Sequence, residues 1–242
     1  MTSQLVVIPS RRSHSNHAEV ARTIGIDIIA GRYPAGSKLP GDADLTVLFG
    51  VSRPVLRESV KTLVAKGLLT TKARVGTVVR ERGSWNMFDP DVLEWHLDAG
   101  IDGRFLRDLA EIRLAVEPRA AALAAERRDA ADIAAMRAAV ERMAVESERG
   151  SVGFAEADLE LHLRIASASG NPFMRSIGAV IEAALRSSFV LSAPADEEAY
   201  RITVEAHHRI VDAIESGDGE GAALAMTTVI FNGRQRHAAA AP

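Results

Sequence analysis

The chain has 242 residues, 47% of them hydrophobic and 25% charged, which suits a globular protein long enough for two modest domains. It contains no cysteine, so disulfides, thiolate metal sites and cysteine nucleophiles are excluded. The net charge of −3 conceals an asymmetry: residues 1–83 hold 13 Lys+Arg against 6 Asp+Glu, and the remainder holds 16 against 26. A basic first third joined to an acidic remainder suggests one part that binds DNA and a second with another task. No apolar run approaches the roughly 20 residues of a bilayer-spanning helix, and the start lacks the order of a signal peptide, so a cytoplasmic location and no membrane partner are expected.

Residues 1–13 read as a mobile arm that includes Arg11 and Arg12. From Asn16 to Gly31, Val20, Ile24, Ile28 and Ile29 keep helical spacing, and Gly31 stops the helix. Residues 32–40 are too rich in Pro and Gly for regular structure. A short helix is predicted over Asp42 to Phe49, closed by Gly50. The next begins at Ser52, the N-cap, with Pro54 in its first turn. Val55, Leu56, Val60, Leu63 and Val64 form its apolar face; Arg53, Arg57 and Lys61 form the other, with Arg53 and Arg57 near the N-terminus, where a recognition helix meets base edges and phosphates. After Gly67 the runs 68–72 and 77–80 are β-prone, a hairpin with Lys72 and Arg74 near its tip. Helix, short helix, turn, basic helix and hairpin make a winged helix-turn-helix.

The stretch YPAGSKLPGDADLTVLFGVSRPVLRESVKTLVAKGLLTTKARVGTVV resembles the DNA-binding domain of the GntR family of bacterial transcription regulators. That resemblance implies that Ser52, Arg53, Pro54 and Arg57 face DNA and that Gly76 lets the wing approach the minor groove. Many relatives have Arg where this chain has Ala43, so a contact from the short helix is expected to be missing.

Residues 83–90 change composition and are taken as a linker, with Trp85 and Phe88 expected to pack on a domain. Helices are then predicted over Pro90 to Asp98, Asp102 to Arg128, Ala130 to Arg149, Phe154 to Ser169, Pro172 to Leu191, Asp196 to Ser216 and Glu220 to Arg236. The expected fold is therefore mainly α: an N-terminal winged helix-turn-helix at 14–82, the linker, and a C-terminal antiparallel all-α bundle at 91–237.

Polar residues interrupt the bundle's apolar stripes. Asp158 and His162 share a face with Ile165, and His207 shares one with Val211 and Ile214, whereas His208 aligns with Asp212 and Glu215 toward water. Arg113 lies on the stripe of Leu106, Leu109 and Val116, and a buried Arg needs an anion, which Glu117 one turn later could supply. Each group could be satisfied locally. If they converge, an Asp and two His suit a divalent transition metal such as zinc, and Arg113 suits a carboxylate ligand.

The runs EIRLAVEP, DLELHLRIASASGNP and HHRIVDAIESGD resemble the all-helical effector and dimerisation domain of the FadR branch of the same family. The resemblance implies a metal held by an Asp and three His, with Asp158, His162 and His207 matching the first three. The fourth position is Val229, which cannot ligate. Either a three-ligand metal site or a metal-free pocket of His162, His207 and Arg113 holding an anion follows. GSWNMFDPDVLEWHL resembles the junction in sugar-acid repressors of galactonate type, which implies a sugar-acid or related carboxylate inducer.

The leading function is a homodimeric, DNA-binding transcriptional regulator, a repressor whose affinity for double-stranded operator DNA is controlled by a small carboxylate. The alternatives are a metal-dependent enzyme acting on sugar acids with a fused DNA-binding domain, for which no paired base or catalytic signature is evident, and an architectural protein that binds DNA constitutively.

Overall fold

The computed structural model describes residues 16–100, 103–147, 151–192, 194 and 196–240. The predicted arm at residues 1–13 lies outside the described residues. Contacts divide the chain into two units, 1–100 and 101–242. No helix among the described residues is long and apolar enough to cross a membrane.

In the first unit, α1 (Asn16–Ile29), α2 (Asp42–Phe49) and α3 (Arg53–Ala65) precede the antiparallel strands β1 (Leu69–Lys72) and β2 (Gly76–Val79). Val20, Ile24 and Ile28 of α1 pack on Leu45, Leu56, Leu63, Leu68 and Val79. Ser59, also buried, ties α3 to α1 by donating to the His17 carbonyl at 2.8 Å. Ser52 occupies the N-cap position of α3, but its side chain makes no capping bond. The sheet pairs Leu69 with Val79 and Lys72 with Gly76. The Pro- and Gly-rich stretch expected to be irregular lies along it: Gly36 N donates to Val79 O, Val79 N to Ser37 O and Leu39 N to Thr77 O. Its backbone groups thus find partners that side-chain patterning does not announce.

The helix expected to open the bundle, α4 (Pro90–Ala99), belongs instead to the first unit. Three features hold it there. Trp95 lies against Gly25 of α1, where a Cβ would come within 2.3 Å of the indole. Arg22 reaches Asp98 at 2.8 Å. Lys66, just past α3, bonds Asp89 and Asp91 at 2.7 Å each, and its ammonium lies 5.6 Å from the Trp95 ring centroid. Burial alone would lower the pKa of Lys66, but its bonds to Asp89 and Asp91 outweigh burial and raise it. Trp85 packs as expected, its indole donating to Arg80 O, whereas Phe88 is exposed. The boundary set at residue 90 thus falls short of the contact boundary, because Val92 and Trp95 bury their apolar face in the first core.

The second unit is an antiparallel all-α bundle of α5 (Gly103–Arg127), α6 (Ala130–Ser147), α7 (Ser151–Ala168), α8 (Pro172–Ser176), α9 (Gly178–Ser192), α10 (Glu197–Ser216) and α11 (Gly219–Ala240). The helix expected over Pro172 to Leu191 is two helices, interrupted at Ile177. The most extensive contacts pair α5 with α11 and α6 with α7, while α10 packs on both α6 and α11. The apolar core gathers Met136, Val140 and Met143 of α6, Phe154, Leu161 and Ile165 of α7, Ile210, Val211 and Ile214 of α10, and Met226 and Ile230 of α11. α5 contributes small side chains, Ala121, Ala124 and Ala125, which let neighbouring helices approach closely.

Candidate functional site

Two sets of polar residues stand out, one on the surface of the first unit and one inside the second. On the first unit, Ser52, Arg53, Pro54, Arg57 and Lys61 are all exposed along α3, opposite the buried Leu56 and Leu63. Lys61 bonds Glu58 at 2.8 Å, whereas Arg53 and Arg57 make no ion pair with another described residue. At the wing tip, Lys72, Arg74 and Gly76 are exposed. Arg74 has a positive φ of 63° and Gly76 one of 106°. A left-handed backbone at a non-glycine residue is a local strain, and it sits where the hairpin turns its cationic side chain outward. Arginines at the N-terminus of one helix and a basic hairpin tip are the parts a winged domain needs to contact DNA at two places.

Inside the second unit, Arg113, Glu117, Asp158, His162 and His207 are all buried. α5 supplies the first two, α7 the next two and α10 the last. Arg113 Nε donates to Glu117 Oε1 at 2.5 Å, the pairing that their four-residue spacing predicts. Glu117 Oε2 also accepts a hydrogen bond from His162 Nδ1. His207 Nδ1 donates to the Thr203 carbonyl at 2.6 Å, one turn back on the same helix. Both Nδ1 atoms are therefore occupied as donors, and both Nε2 atoms turn to Asp158. The distances to its Oδ1 are 2.9 Å from His207 and 3.4 Å from His162.

Charge on these groups follows from their neighbours. Burial would push the Glu117 carboxyl up, but Arg113 and then His162 outweigh it and bring the pKa down to about 2. Asp158 is likewise held well below the usual carboxylate range, burial being overcome by His207 and His162. Burial disfavours a charged His162, yet the carboxylates of Glu117 and Asp158 raise it to about 9.

Asp158, His162 and His207 present ligand atoms within 4.8 Å of one another. Asp158 Oδ1, His162 Nε2 and His207 Nε2 are buried, face one another and have no hydrogen-bond partner outside this trio. With both rings neutral, these three converging atoms each offer a lone pair, a set that fits a divalent cation. Val229, at the position the resemblance gives to a fourth ligand, is packed on the apolar core.

Arg113 faces more than Glu117. A small cavity of about 30 Å³ is lined by Leu106, Leu109, Arg113, Ala184, Ile230 and Arg234. Arg234 was not singled out from sequence; it stands on the surface end of the stripe of Ile230, and only the cavity reveals its proximity. Thr203 was also missed, although a residue four before a buried His is a ready backbone acceptor. A larger hollow of about 620 Å³ opens between the ends of α6 and α10. Its lining includes Asp196, Glu197, Glu198 and Glu205, the wrong sign for a carboxylate ligand.

The match to protein families decides the class. Residues 16–79 match the model described as bacterial regulatory proteins, gntR family, and residues 108–232 match the FCD domain. The chain belongs to the GntR family. It is 34% identical to the galactonate operon transcriptional repressor of Escherichia coli K12, over 88% of this chain and 93% of that protein. It is 32% identical to the regulator YieP of the same organism, over 87% and 90%. Among solved structures, it is similar to Lar, which controls the expression of the Listeria monocytogenes agr system, with a TM-score of 0.65 at 18% identity, covering 96% and 99% of the two chains. This GntR-family chain is a DNA-binding transcriptional regulator with an FCD effector domain, and the enzyme alternative has no support among these relatives.

Proposed function

We propose that the protein is a homodimeric repressor whose hold on operator DNA is released when a sugar acid or similar small carboxylate binds in the helical unit. The observation that carries this reading is Arg113: a buried guanidinium that lines a cavity while Glu117 engages its Nε edge. A guanidinium retains Nη donors for a second carboxylate, and such pairs are strong when water is excluded. The relation to the galactonate operon repressor supports a sugar acid as the ligand.

Asp158, His162 and His207 would hold a divalent transition metal such as zinc, which would supply a Lewis-acidic point for a ligand oxygen. With Val229 at the fourth place, three protein ligands leave a position open to the ligand. Arg113 would hold the carboxylate, and Arg234 would add positive charge at the cavity. A cavity of about 30 Å³ accepts roughly one water molecule and no sugar acid. Binding would therefore need room to open around Arg113, and a ligand that binds the opened form better than the closed one would shift the equilibrium between them.

On DNA, Ser52, Arg53, Pro54 and Arg57 of α3 would enter the major groove, Lys61 would meet phosphate, and Lys72, Arg74 and Gly76 would contact the minor groove. One small winged domain makes few phosphate contacts, so two copies on a two-fold operator in the cytoplasm are the expected assembly.

The deciding experiment measures binding of the full chain to DNA upstream of its own gene, against random DNA at matched salt, with and without a panel of sugar acids. Selective binding that one acid weakens is the expected result. Equal affinity for both DNAs overturns the regulator reading, and selective binding indifferent to every small carboxylate overturns the inducer.

A further inference from the structure

Glu117 stands between the guanidinium and the histidine pair, and its contacts give it more to do than balance charge. Oε1 accepts from Arg113 Nε at 2.5 Å, while Oε2 accepts from His162 Nδ1 and lies 3.4 Å from Arg113 Nη2. All three residues are buried, so water does not relieve any of these demands. A guanidinium carries donors only and keeps its protons, so Arg113 always claims an acceptor. A neutral imidazole has one N–H, and the partner of one ring nitrogen decides the state of the other. A carboxylate has an acceptor on each oxygen. Glu117 can therefore serve Arg113 with one and hold the His162 proton on Nδ1 with the other, leaving the lone pair on Nε2, which is turned toward Asp158 Oδ1.

We infer that Glu117 is the positioning residue that fixes His162 in its metal-binding tautomer, and that it does so because it accepts from Arg113 and His162 at once. The inference rests on the metal reading proposed above. It makes the isosteric substitution Glu117→Gln damaging for a stated reason. A glutamine has one acceptor oxygen. Arg113 takes it, the amide NH2 then faces His162 Nδ1, and the ring proton moves to Nε2, where it blocks the ion. Removing the competitor restores the oxygen to His162, so the double substitution Arg113→Leu with Glu117→Gln returns the proton to Nδ1.

The test is zinc affinity of the full chain, measured by chelator competition for wild type, E117Q and R113L/E117Q, with helicity checked for each. Partners that orient a ligating histidine are typically worth about 10–100-fold in metal affinity. E117Q is expected to lose at least tenfold and the double variant to recover most of that loss. If Glu117 only supported the fold, the shape-preserving E117Q would bind zinc like the wild type. Wild-type protein that takes up no zinc overturns the metal reading and this inference together. Wild-type binding with E117Q unchanged, or with no recovery in the double variant, overturns this inference alone. Nitrogen-15 NMR of the zinc-loaded wild type needs no variant: zinc on Nε2 and the proton on Nδ1 of His162 is expected, and the reverse assignment overturns the inference.

Discussion

The DNA-binding unit keeps the cations of its recognition helix in solvent and buries mainly apolar side chains beneath them, whereas the helical unit takes Arg113, Glu117, Asp158, His162 and His207 out of water altogether. The difference matches the sizes of the ligands. A DNA duplex is too large to enclose, so phosphates are met by exposed side chains that cost the fold almost nothing. A small anion or metal ion can be surrounded, and groups that surround it must first satisfy one another. Stability and recognition are therefore separable in the first unit and entangled in the second.

The largest expected effect is on the entangled side. Arg113→Ala strands Glu117 and should destabilise the helical unit by about 3–5 kcal/mol, the usual result of removing one partner of a buried pair; a chemical denaturation curve little changed from wild type would contradict the interdependence. Gly25→Ala should cost the first unit about 1–3 kcal/mol, because its Cβ would overlap the Trp95 ring. If melting of that unit is unchanged, α4 is not docked as described.

Acid and base should each destabilise the helical unit, acid through Glu117 and base through His162. In metal-stripped protein, Glu117 has a folded pKa lowered to about 2 from 4.5, so its contribution is present above about pH 4.5 and fades as pH falls through 2. His162 is raised from 6.5 to about 9, so its contribution is full below 6.5 and fades as pH rises through 9. Denaturation across pH 4–10 should show the loss above neutrality, and Glu117→Gln should diminish it. The smallest change in stability is expected from Arg53→Ala and Arg57→Ala, within about 0.5 kcal/mol. Each should nonetheless weaken operator binding, and a phosphate contact would lower the salt slope by about one. An equal loss of melting temperature and DNA affinity would erase the contrast between the units.

The same contrast governs what sequence could convey. Apolar spacing placed α1, α2, α3 and α10 to within a few residues, and the Arg113–Glu117 pair was readable because both groups lie one turn apart on one helix. The bond from Glu117 to His162 was not, since it joins residues 45 positions apart on different helices. Arg234 was missed for the same reason: its nearness to Arg113 depends on how α11 packs on α5. The family resemblance supplied the convergence of Asp158, His162 and His207 that spacing alone left open. The break at Ile177 had a local sign in Gly178, which lets Leu163 of α7 approach to 3.0 Å of where a Cβ would stand. The docking of α4 on the first core had none, because an apolar helix face does not say which core it will enter.

Lys66 gives that docking a mechanical meaning. It follows the last residue of α3 and grips Asp89 and Asp91, the cap and first turn of α4. A ten-residue helix is about 15 Å long. Held at its root by Lys66 and along its length by Trp95 against Gly25 and Asp98 on Arg22, α4 is tied to the same unit that carries the recognition helix. A force applied near Ala99 would reach α3 through α1, on which both helices pack.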